Sequence, residues 1–211
     1  MTSAFFHRQG TVEVLRKLGI LCVALLTTSC ATIGPRFQEL QIPPARIVQQ
    51  GYSLVPLNEK GWLIGGRDAI QVLLMKLGEH PDETFITHAT LIHLPAFTTD
   101  GELVDLVKKG EDDDTDPHRF NTTIHEVTVY PKPGAVCTQS HMVSEDRGAV
   151  KRSRQTENMI LEVLVLTCAH PSDKRVGVSV AYSQRHYPGQ GDPAFFEKAT
   201  RILNSVKLTA P

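Results

Sequence analysis

The chain has 211 residues, 41% of them hydrophobic, which is enough to bury the core of one globular domain. With 22 basic and 23 acidic residues its formal charge is -1, so no basic excess points to nucleic acid and no acidic excess points to a disordered tail. Leaving out the first 29 residues removes Arg8, Arg16, Lys17 and Glu13, and the remainder is a mildly acidic, ordinary soluble surface.

At the N-terminus, Arg8, Arg16 and Lys17 precede an uncharged run from Leu18 to Thr27. A bilayer core needs about 20 apolar residues in a helix. This run is too short to span, but it has the length of a signal-peptide core. The small residues Thr27, Thr28 and Ser29 follow, as a protease cleft requires. Cleavage could be an ordinary secretory one after Ser29, or one that leaves Cys30 at the new terminus. Leu26-Thr27-Thr28-Ser29-Cys30 resembles the bacterial lipobox, with Thr27 where leucine is usual. That resemblance implies a multiply acylated Cys30, an anchor that holds where a single chain would not. Ala31, in place of a retaining aspartate, favours the outer membrane. The expected organisation is a signal peptide over 1–29, a lipidated cysteine and tether over 30–50, and one domain over 51–211. Gly34, Pro35, Pro43 and Pro44 lie in the tether.

Cysteine counting agrees with this reading. Cys22 falls in the leader and Cys30 takes lipid, which leaves Cys137 and Cys168 as an even pair in an oxidising compartment. Bonded, they would close a loop worth roughly 3–4 kcal/mol in the chain-entropy picture. Unbonded, they would pack as small hydrophobes.

The domain reads as mostly β. "YSLVPL" from Tyr52 and "GWLIGG" after the Asn58–Gly61 turn predict a first pair of hairpin strands. "AIQVLLMKLG" and "TFITHATLIHLPAF" flank the turn "EHPDE" and read as strands. Thr99 and Glu102 have the spacing of a capping box, and Leu103, Leu106 and Val107 share one helical face, so a helix is predicted to run to near Gly110. Four β-segments follow: "TTIHEVTVY", ended by Pro131 and Pro133, then "AVCTQSHMV", "MILEVLVLTCAH" and "RVGVSVAYSQRHY". The last two flank the Pro171–Lys174 turn. Asp192-Pro193 predicts the start of a final helix, with Phe195, Phe196, Ala199, Ile202, Leu203 and Val206 as its apolar stripe.

The fold class expected is α+β: a mostly antiparallel sheet with N-terminal hairpin strands, a middle helix and a C-terminal helix packed on the sheet. From Tyr52 to Leu208 this order resembles the PsbP-like α/β/α sandwich, and "FFEKATRILNSVKL" resembles that fold's last helix. The whole chain is similar to small proteobacterial lipoproteins that carry no assigned activity.

No catalytic motif stands out. There is no HExxH, CxxC or GxSxG. His88 and His93 point to opposite faces of a strand. His125 and His141, on different strands, are the weak candidates for a metal site, which would need three or four ligands. The acids of 111–116 lack EF-hand spacing and read as a solvated loop. Lys151–Arg154 reads as a solvated hairpin loop, with contact to anionic headgroups or a partner as the alternative, and Trp62 as a core anchor. No cofactor is expected. The expected function is a membrane-anchored envelope lipoprotein facing the periplasm. Its domain binds an envelope protein or ligand or plays an accessory part, without catalysis. The alternative is a periplasmic metal-binding protein or hydrolase using the sheet histidines.

Overall fold

Strand pairing accounts for most of the architecture in the computed structural model, which describes residues 37–209. The strands are β1 (Gln38–Glu39), β2 (Ile47–Gln49), β3 (Tyr52–Leu54), β4 (Leu63–Arg67), β5 (Gln71–Leu77) and β6 (Thr84–His93). After helix α1 (Asp100–Asp114) come β7 (Phe120–Lys132), β8 (Ala135–Asp146), β9 (Met159–His170) and β10 (Asp173–His186). Helix α2 (Phe195–Ser205) and β11 (Lys207–Leu208) close the chain. Eight strands form one sheet in the order β1-β4-β5-β6-β10-β9-β8-β7, and all its pairs are antiparallel. A second sheet of three strands runs β11-β3-β2.

Residues alternate between the two faces of the large sheet with a period of two. One face carries Val72, Leu74, Phe85, Ala89, Val178, Val180, Tyr182, Leu164, Leu166, Cys168 and Cys137, all buried. The small sheet, Leu57, Trp62 and α2 cover this face and complete the main core. From α2, Phe195, Ala199, Ile202 and Leu203 are buried. Burying each is worth about 1.5–3 kcal/mol except for the alanine. Cys137 and Cys168 lie directly opposite in the β8–β9 register, their sulfurs bonded.

The other face is buried at its far end, around Ser144, Asp146 and Met159, and at the end where β8 begins. There α1 lies on β7 and β8 and buries Leu103 and Val107 in a small second cluster with Leu94, Phe97 and Ala169. Further along that face Leu73, Met75, Ile86, Leu161, Val163, Val165 and Met142 are half-exposed. This corrects the expected fold class. The α+β PsbP-like sandwich, with a middle helix packed as a layer, is not what forms. The structure is a predominantly β fold dominated by one eight-stranded sheet, with helices of 15 and 11 residues beside it. The physical reason is the narrow apolar stripe of α1. Two buried side chains among acids and lysines cannot cover an eight-stranded sheet.

The expected N-terminal hairpin is also corrected. β3 pairs with β2 and β11, whereas β4 pairs with β1 and β5. Between them the chain buries Leu57 and Trp62 and crosses from one sheet to the other, so "YSLVPL" and "GWLIGG" never meet. The tight turn lies earlier, at Gln50-Gly51, where Gly51 has φ 76 and joins β2 to β3. Residues 37–50, read from sequence as tether, thus supply β1 and β2. Both helix ends shift as well. The Thr99–Glu102 capping box forms at the start of α1, but the helix runs on to Asp114. At α2 the cap is Ala194 and not Asp192, whose carboxylate instead accepts the Ala194 N–H at 2.9 Å.

At one end of the sheet Asp146, fully buried, sits between two arginines. Arg119 binds it in a fork (Nε–Oδ1 2.8 Å, Nη2–Oδ2 3.0 Å) and Arg185 reaches Oδ2 at 2.9 Å. Burial works against the charged carboxylate, but the hydrogen bond of Arg119 and the charge of Arg185 outweigh it and hold Asp146 below the usual range. Removing one member leaves an uncompensated buried charge. Asp146→Asn is therefore expected to lower unfolding stability by about 3–5 kcal/mol in urea titration, against less than about 1 kcal/mol for the exposed-pair variant Asp113→Asn.

Candidate functional site

A cleft of about 670 Å³ opens at the end of the main core face, between the β5–β6 turn and the loop leading to α2. Its floor is the ring of Phe85. The ammonium groups of Lys76 (β5) and Lys198 (α2) lie 6.0 and 5.8 Å from the ring centroid, within the reach of cation–π attraction. Glu59 joins the two lysines, at 2.8 Å from Lys76 and 3.5 Å from Lys198, and Asp192 binds Lys198 at 2.6 Å.

Each of these charges is fixed by the others. Burial opposes ionisation of Glu59, but the hydrogen bond and charge of Lys76 and the charge of Lys198 hold its carboxyl below the usual range. Burial likewise opposes the charge on Lys198, and Asp192 and Glu59 overcome it and raise its pKa. The group is thus a balanced set of two ammoniums and two carboxylates around an aromatic floor. It suits a ligand with both an apolar surface and a polar edge able to exchange into the ion pairs.

The walls are tied by buried Gln184 of β10. Its amide donates to Glu83 Oε1 at 2.7 Å on one wall and its carbonyl accepts the Asp192 N–H at 2.9 Å on the other. Glu83 also caps its own turn by accepting the Glu79 N–H at 3.0 Å. Gly78 makes room for that carboxylate, because a Cβ there would lie 1.8 Å from Glu83 Oε2.

Behind the turn, buried Asp82 pins the β8–β9 loop. It accepts from the Arg152 and Ser153 backbone N–H groups, from the Ser153 hydroxyl and from the Tyr187 hydroxyl at 2.7 Å. Burial raises the cost of its charge, yet these donors together hold Asp82 far below the usual carboxylate range. The Lys151–Arg154 segment, expected to be a free charged loop, is therefore partly anchored through its backbone.

The histidines named from sequence separate. His125 ↔ Met142 and Glu126 ↔ His141 are opposed pairs of β7 and β8, so His125 and His141 stand on opposite faces and cannot share a ligand. His125 lies under α1, with Nε2 2.8 Å from Glu111 and Nδ1 2.9 Å from Asp112, and Ser140 donates to Glu111 at 2.6 Å. Through these contacts His125 ties the last turn of α1 to the sheet. His141 bonds Glu162 at 2.9 Å and meets the edge of Phe196 on the α2 face. Among the described residues no group of three or more His, Cys, Asp or Glu side chains is arranged around a metal position. Part of the acidic segment read as a loop, Glu111 to Asp114, is the last turn of α1. Trp62 is 2% exposed and packs near Tyr182 in the core. Cys30 lies outside the described residues.

Sequence reasoning did not find Lys76, Lys198, Glu59 and Asp192, which come from four separate segments with no local motif. "EHPDE" did mark the turn, though not the burial of Asp82. No protein-family model and no curated protein matches the chain.

Three outcomes follow from these contacts. Asp82→Asn is expected to weaken the loop anchor by about 1–3 kcal/mol and to speed limited proteolysis within residues 147–158, read by mass spectrometry of the fragments. Because its folded pKa is depressed, the Asp82 contribution is present above the unfolded value of about 3.9 and is lost as pH falls below it, so the same cleavage in wild type should accelerate below about pH 4 with an acid-active protease. His125→Ala is expected to raise amide hydrogen exchange in the last turn of α1 while leaving β9 and β10 protected.

Proposed function

We propose that this is a bacterial envelope lipoprotein, anchored through acylated Cys30, whose β domain stands in the periplasm and binds an envelope protein or ligand at the Lys76–Phe85–Lys198 cleft. One observation carries the reading. Cys137 and Cys168 form a buried cross-strand disulfide, the state of cysteines in oxidising compartments, behind a leader that ends in a lipobox-like sequence. Among the described residues no helix is long and apolar enough to cross a membrane, so attachment in this reading rests on the acyl chains.

The binding role rests on the chemistry of the cleft. Its lysines and carboxylates are committed to one another around an aromatic floor, an arrangement that holds a ligand by exchange of ion pairs and by contact with Phe85. Recognition of this kind is altered by changing charge. Elemental analysis of the purified protein separates this reading from a metal-binding one, since stoichiometric zinc would favour the latter.

The anchor is tested by the intact mass of the mature protein from a bacterial envelope. Wild type is expected to begin at Cys30, to carry the mass of several acyl chains and to enter the detergent phase. Cys30→Ala is expected to carry none and to leave that phase. A mature wild-type chain without lipid would overturn the proposal.

A further inference from the structure

The last strand of the large sheet has an open side. β7 is 13 residues long and pairs with β8 alone. Among the described residues no backbone hydrogen bond outside the β7–β8 ladder reaches its stretch 124–130. An edge of this length is a template for another strand unless something blunts it. The opposite edge strand, β1, is two residues long and offers no comparable template.

Two backbone features blunt β7 at its ends, and between them it carries one exposed charge, Glu126. A bulge interrupts the register between Thr122 and Ile124, and Pro131 lacks an N–H. Between them runs Ile124-His125-Glu126-Val127-Thr128-Val129-Tyr130, which is rich in β-branched and aromatic residues. Ile124 and Val129 are 39% and 49% exposed, large apolar side chains left open where a neighbouring strand would cover them.

We infer that β7 is a self-association edge, and that its partner is β7 of a second copy, paired antiparallel about Val127. The sequence of the stretch makes the choice of occupant. Val127 is its midpoint, so a two-fold axis there uses all seven residues and puts each bulge opposite the partner's proline, where pairing ends anyway. The opposed pairs become Ile124 with Tyr130, His125 with Val129, Glu126 with Thr128, and Val127 with itself. No like charges meet directly. A register centred one residue away, on Glu126, would oppose Glu126 to Glu126, and like charges in that position destabilise a sheet. Such an interface is isologous, the usual form of a soluble dimer, and joins two eight-stranded sheets into one.

The test is the charge at position 128, which is exposed and faces Glu126 of the second copy. Sedimentation equilibrium of the detergent-solubilised full chain is expected to show a monomer–dimer equilibrium. Thr128→Glu places like charges opposite each other twice in the dimer and should weaken it roughly 2- to 30-fold. Thr128→Lys should tighten it, and Glu126→Lys combined with Thr128→Glu, which again opposes unlike charges, should tighten it to a similar degree, which also shows that the substituted strand still folds. Three results would overturn the inference: a wild-type chain that stays monomeric, a dimer indifferent to the sign of the charge at 128, or an envelope complex in which a different protein occupies this edge.

Discussion

The register of the four long strands β6, β10, β9 and β8 is the constraint from which the rest follows. Their ladders are unbroken over most of their length, with one irregularity near Asp173–Gly177. Because side chains alternate with a period of two, sliding β10 by one residue would turn Val178, Val180 and Tyr182 out of the core and bring Ser179, Ala181 and Ser183 in. The disulfide between opposed Cys137 and Cys168 pins the same register covalently at β8 and β9. The buried Asp146 with Arg119 and Arg185 depends on it too, since Asp146 and Arg185 reach each other from β8 and β10 across β9.

That register divides the molecule unequally. The face bearing Cys137 and Tyr182 is closed by the small sheet and α2. The face bearing His125 and Ser140 is closed by α1 over β7 and β8, and the helix is held there by polar contacts as well as by packing. Glu111 and Asp112 grip His125, and Glu111 also takes the Ser140 hydroxyl. Polar clamping of this kind replaces the apolar stripe that a covering layer would need.

The cleft forms where three different polar devices converge. Gln184 joins its walls, Asp82 fixes the turn behind it, and Glu59 with Asp192 balances its two lysines. Buried polar groups are costly unless every one is satisfied, so these contacts specify one geometry for the turn and loop and not merely a compact one. The bond between Asp82 and the β8–β9 loop extends the same rigidity to a segment whose composition alone suggests a free surface loop.

Much of the β content was legible in the residues themselves. "MILEVLVLTCAH" and "RVGVSVAYSQRHY" read as strands because both are rich in apolar and β-branched residues and flank the Pro171–Lys174 turn, and the Thr99–Glu102 cap read as a helix start because both its partners lie within one turn. The pairing of β3 with β2 and β11 did not, nor did the open second face. Both depend on which distant segments bury their apolar side chains together. The assembly of Lys76, Glu59, Asp192 and Lys198 was invisible for the same reason. The residues alone set the local elements, which rest on neighbours along the chain. The sheet order, the separation of His125 from His141 and the place of the cleft emerged only on folding. Those are set by strand register and face, and face is a property of the folded sheet, not of any single segment.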